Sequence, residues 1–273
     1  MTIASSSILG QITESIDKST RRAVREPVSM LVAILCDIGF FFAYGFLSAP
    51  LIEALIEQSV LVAGGIGQLL RAQQFGSFFE LLFDSSVRNH SLALLGIMAA
   101  LGGLAYVLYV VFEGTSWYSV WSIVHQGKGS WTSYVKSFAK VNLVWFSIYY
   151  VYFGITTILD VRGAVISSLT KEAASTSVQG LLLGLVLVCL SAALPSYVCG
   201  SVRSAIKVVQ SHPLEFILAW GVILVVLFAS QFVIDLFARL DPAIGILSGI
   251  LLLPVISLLK LFAVTYLEDR HVL

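Results

Sequence analysis

Two ionisable residues stand deep within apolar stretches of this sequence, and any chemistry would start from them. Asp37 sits among Cys36, Phe40, Phe41 and Phe42. An acid in hydrocarbon costs about 2.5–3.5 kcal/mol on insertion scales, so it must face another helix, a cavity or a proton path. Tyr149, Tyr150 and Tyr152 are available to donate to it. A structural acid, protonated or hydrogen-bonded between helices, is the plainer reading and a transport role the sharper one. Lys260 is the matching cation, six residues short of the expected inner end of the last apolar stretch. At 1.5 Å per residue that interface lies about 9 Å away, within reach of a snorkelling side chain. An ion pair with Asp37 and a part in transport are the other readings. The pair meets a mismatch of depth, because Asp37 lies about ten residues into a stretch that starts inside.

Other motifs carry less chemistry. Ser257 with Lys260 reads S-x-x-K, as do Ser133 with Lys136 and Ser204 with Lys207. Serine-lysine catalysis needs a desolvated lysine beside its nucleophile, and three copies of so short a word point to helical repetition instead. The histidines at 90, 125, 212 and 271 have no second ligand at i, i+4 spacing, and no H-E-x-x-H, G-x-S-x-G, Walker or G-x-G-x-x-G signature occurs. The expectation is therefore no catalytic residue, no metal, no cofactor and no enzymatic activity. Cys36 and Cys189 lie within apolar stretches and Cys199 at the end of one, so no disulfide is expected.

The elements that must position Asp37 and Lys260 follow from composition. Of 273 residues, 58% are hydrophobic and 12% charged, which excludes an ordinary soluble domain. Sixteen Lys+Arg balance sixteen Asp+Glu, so no nucleic-acid partner is expected. Six stretches are long enough to cross a bilayer: 28–49, 92–112, 141–159, 178–198, 214–234 and 243–266. The fold expected is all-α, a polytopic membrane bundle of six spans. Residues 1–27 form a polar leader with a basic amphipathic helix, retained because Glu14, Asp17 and Glu26 make a poor signal-peptide start. Ten Lys and Arg fall on one side against five on the other, which places both termini in the cytoplasm and the protein in the cytoplasmic membrane. Residues 51–89 read as an external insertion, an amphipathic helix pair on the bilayer surface, with 54–70 as a re-entrant or seventh span the competing reading.

A cationic word recurs before the odd-numbered spans. Val135-Lys136-Ser137-Phe138-Ala139-Lys140-Val141 aligns with Val202-Arg203-Ser204-Ala205-Ile206-Lys207-Val208, and Arg21-Arg22-Ala23-Val24-Arg25 is a weaker third copy. Cations four residues apart share one helical face, so Arg21 and Arg25, Lys136 and Lys140, and Arg203 and Lys207 suit the phosphates of anionic lipids at the inner surface. The repeat allows three related helical hairpins; coincidence under positive-inside selection is the alternative. Gly180 with Gly184 and Gly245 with Gly249 are G-x-x-x-G pairs, and Pro195 and Pro254 should kink the fourth and sixth spans. Trp117, Tyr118, Trp121, Trp131 and Tyr134 read as an aromatic belt lying flat at the inner interface.

The segment Gln126-Gly127-Lys128-Gly129-Ser130-Trp131-Thr132-Ser133-Tyr134, running into Phe138 and a span, resembles a unit of a diffuse group of uncharacterised six-span prokaryotic membrane proteins. That group includes the membrane domain attached to some glycerophosphodiester phosphodiesterases. The resemblance covers residues 114–235 and implies a membrane bundle, with no established catalytic residue to carry over; the phosphodiesterase barrel is absent. Two functions follow as expectations. One is a non-enzymatic scaffold, lipid-organising element or subunit of a larger assembly, with membrane lipids and protein partners or further copies of itself around it. The other is a small-solute permease or channel-like transporter built on Asp37, Lys260 and the kinked spans.

Overall fold

The computed structural model describes residues 2–71, 84–85, 87–127, 129–170, 193–211 and 213–269, with no side-chain description at 2–9, 70–71 and 157–170. Its described residues form eight helices: α1 Thr2–Arg25, α2 Pro27–Arg71, α3 Arg88–Val124, α4 Trp131–Thr170, α5 Ala193–Cys199, α6 Val202–Ser211, α7 Pro213–Leu240 and α8 Pro242–Asp269. The all-α expectation holds in this form, and α2, α3, α4, α7 and α8 are long and apolar enough to cross a membrane. The expected fourth span lies outside the described residues up to position 192, and only its end, α5, is seen.

Helix ends follow local chemistry. Proline opens α2, α7 and α8, where a missing N–H costs nothing. Asp241 caps α8 by accepting the Ala243 amide at 2.7 Å. Two successive left-handed residues, Gln126 at φ 50° and Gly127 at φ 72°, stop α3. Without such a break the helices outrun the expected spans. The boundary at 49 is no helix end: α2 runs on through Pro50 to Arg71, and α3 runs beyond 112 into the aromatic segment. Trp117 accordingly stands on α3 and is buried, not laid flat at an interface.

The chain divides into two units. One comprises Met1–Phe40, Tyr109–Ser147 and Gly184–Leu273, and the other Phe41–Leu108 and Ile148–Leu183. In the second unit Val62, Ile66 and Leu69 pack with Val87, and Gln58 meets His90 at 2.9 Å, which gives an amide on an apolar helix its partner. Tyr150 lies against Gly102 and its hydroxyl donates to the Met98 carbonyl.

In the first unit α1 buries the stripe Ile12, Ser15 and Ser19 and packs on α8. Ser15 and Lys18 reach Asp269, at 3.1 and 3.3 Å, and Arg22 reaches Glu268 at 2.9 Å. Hydrogen bonding to Glu14, then to Asp269, pushes the Lys18 amine above its ordinary range. Polarity is inverted relative to a soluble core: Asp37, Lys260, Asn142 and Thr265 are buried, while Phe228 and Leu251 are 71% and 76% exposed. Such an exterior fits a membrane-embedded protein.

The α7–α8 hairpin is tight because α8 presents glycine to α7. A Cβ on Gly245 would stand 2.8 Å from the Ala238 Cα, whereas one on Gly249 would meet only the Ile234 Cδ1 at 3.9 Å. Gly245→Ala should therefore cost about 1–3 kcal/mol of overpacking and lower the melting temperature in detergent. Gly249→Ala should leave that temperature close to wild type; equal effects would mean the hairpin is not packed this way.

Candidate functional site

Three helices of the first unit meet at one ammonium group. Lys260 Nζ on α8 donates to Asp37 Oδ1 of α2 at 2.7 Å, to Glu113 Oε2 of α3 at 2.7 Å and to Ser116 Oγ of α3 at 2.9 Å. A lysine has three N–H groups, and all three are used. Ser257 Oγ donates to the other Asp37 oxygen, Oδ2, at 3.1 Å. The S-x-x-K word at 257 and 260 thus gains a structural meaning: residues three apart share a helix face, and both grip one carboxylate. Lys260 and Asp37 are 7% and 2% exposed at their side chains and Glu113 13%, so the cluster is largely buried.

The two residues singled out in the sequence are therefore brought together. Lys260 turns inward to Asp37 instead of snorkelling, and the depth mismatch disappears because the helices overrun the expected ends. Asp37 stands ten residues from the start of α2, and Lys260 nine from the end of α8. Asp37 receives hydrogen bonds from Ser257 and Lys260, while Tyr150 is engaged at Met98. Glu113 went unnoticed, since the apolar window closes at 112. The periodic Trp117, Val120 and Val124 downstream carried the signal that the helix continues with Glu113 on it.

Aromatic rings line the next layer. The Trp117 ring centroid is 5.9 Å from Lys260 Nζ and 5.5 Å from that of Tyr197, and Tyr197 packs on Phe138 at 4.7 Å. Phe138 stacks on Tyr109, which meets Phe40 edge-on. Residues 134, 137, 142 and 145 of α4 hold α5 in place. Tyr134 donates to the Tyr197 carbonyl at 3.1 Å, Ser137 to the Gly200 carbonyl at 2.9 Å and Trp145 Nε1 to Ser196 Oγ at 2.8 Å. The Tyr197 hydroxyl in turn donates to Asn142 Oδ1 at 3.1 Å. Gly200, at φ 63°, makes the turn from α5 into α6.

Beside the cluster lies a cavity of about 210 Å³. Glu113 and Lys260 form its polar end with Tyr109, Trp117 and Tyr197, and Ile223, Leu227, Ile256 and Ala263 lie on its apolar wall. Two carboxylates against one ammonium give the ionised cluster a formal charge of −1. Such a site can bind a polar or charged solute through groups already held in place.

The other sequence candidates stand apart from this cluster. Arg21, Arg25, Lys136, Lys140, Arg203 and Lys207 are all exposed, and Arg21 pairs with Asp17 one turn away at 2.7 Å. Among the described residues no grouping of His, Cys, Asp and Glu is fit to hold a metal ion.

The seam between α4 and α5 yields a prediction. The Asn142 Nδ2 has no hydrogen-bond partner among the described residues, so Tyr197 supplies the one bond this buried amide makes. Tyr197→Phe should cost about 1–3 kcal/mol of thermal stability, and adding Asn142→Leu should recover most of it. A Tyr197→Phe protein as stable as wild type would break this account of the seam. No family model, no curated protein and no solved structure matches the chain.

Proposed function

We propose that the chain is a small-solute permease, a polytopic protein of six spans with both termini in the cytoplasm, and that Asp37, Lys260 and Glu113 form its intramembrane polar site. The observation that carries this reading is the buried three-charge cluster on the wall of a cavity. Charges within a membrane are costly, and a protein that needs only to hold helices together has cheaper apolar means. Beside the five helices long and apolar enough to cross a membrane, the sequence stretch 178–198 is itself apolar over the length of a span, and the excess of basic residues on the side of residues 1–27 supports cytoplasmic ends.

Flux tests the reading. In proteoliposomes screened against a panel of cationic, anionic and neutral small solutes, the wild-type chain should move at least one class. Asp37→Asn keeps an acceptor oxygen for Lys260 and turns its amide N–H to the Ser257 hydroxyl, which can accept, so it should fold while losing at least tenfold of that flux. Unchanged flux in a folded Asp37→Asn protein would remove the cluster from the transport path.

The exposed basic words favour a second reading, in which the protein organises anionic lipids or scaffolds a larger membrane assembly. Helix α6 buries Ala205 while exposing Arg203, Ile206 and Lys207, an arrangement suited to lying on a charged surface. Native mass spectrometry from lipid nanodiscs should find anionic lipids retained by wild type and depleted after Arg203→Gln with Lys207→Gln. Equal retention would remove the basic words from lipid binding, and a stoichiometric protein partner would favour the assembly role.

A further inference from the structure

We propose that the cavity beside Lys260 takes a small organic cation, an ammonium group carrying a short apolar body; this rests on the permease reading and names its solute class. Charge comes first. Asp37 and Glu113 outnumber Lys260, and Glu113 is the carboxylate on the cavity wall. An anion entering there would meet net negative charge and an ammonium whose three N–H groups already serve Asp37, Glu113 and Ser116. A cation would instead bring the cluster to neutrality without displacing any of those bonds.

The walls agree independently. Tyr109, Trp117 and Tyr197 surround the polar end, and aromatic rings attract ammonium ions through their negative faces. Ile223, Leu227 and Ile256 continue the cavity as an apolar surface that an alkyl group would cover. About 210 Å³ falls short of the ~300–1,000 Å³ of drug-sized sites. The occupant is accordingly of the size of tetramethylammonium or propylammonium.

The test uses the full chain in nanodiscs, with tetramethylammonium, propylammonium, propionate and 1-propanol as probes. The two ammonium ions should bind saturably by calorimetry and raise the melting temperature, and the other two probes should do neither. Glu113→Gln should weaken ammonium binding at least tenfold. Ala263→Leu fills the cavity without touching a charge and should abolish binding, which keeps the proposal testable if the glutamate variant fails to fold. Equal response to propionate or propanol, no response to either ammonium ion, or undiminished binding in a folded variant would overturn the cation assignment. Flux separates this from the permease reading. Transport of anions or neutral solutes alone, lost in Asp37→Asn, keeps the permease and discards the cation; ammonium binding with no flux of any solute keeps the cation site and discards the permease.

Discussion

The ammonium of Lys260 has three hydrogens and three oxygens around it, and those oxygens belong to two other helices. Desolvating such charges costs several kcal/mol per ion, a cost offset only when geometry is good and every donor is satisfied. That requirement fixes more than contact. The carboxylate of Asp37 must reach Lys260 with one oxygen and Ser257 with the other, which sets the rotation of α2 against α8. Glu113 and Ser116, one turn apart on α3, set that helix against the same point.

Aromatic packing extends this ordering outward. Trp117 follows Ser116 on the α3 face and abuts Tyr197, which is held by α4 through Asn142 and through the bonds that tie α5 down. The charge cluster and the cavity share residues, so the groups that lock α2, α3 and α8 also furnish the polar end of the space beside them. A site built in this way is preorganised: its charges are fixed by their partners before any solute arrives.

Much of the helical architecture was legible because apolar runs of membrane length have one satisfactory backbone solution. Asp37 and Lys260 were legible as outliers for the same reason. Their pairing was one reading among several, set back by a mismatch of depth, since bilayer thickness limits a span but not a helix, and α8 continues to Asp269. Glu113 was hidden at the edge of a hydropathy window, and the burial of Trp117 was hidden by the usual interfacial habit of tryptophan. In each case tertiary partners on α5 and α8 decided the outcome, and spacing along one helix carries no record of them. The basic words were plain in the sequence, and their cations stand exposed without converging on the charge cluster.

The account depends on coupling between Asp37 and Lys260, which a double-mutant cycle measures directly. Unfolding free energies of wild type, Asp37→Leu, Lys260→Met and the double variant in the same detergent give the interaction energy. The account predicts that the double variant is less destabilised than the sum of the singles by about 1.5 kcal/mol or more, because Lys260→Met leaves Asp37 buried without its cation and Asp37→Leu leaves Lys260 with Glu113 alone. Additivity within about 0.5 kcal/mol would contradict it, and would mean that the two side chains do not meet in the folded protein.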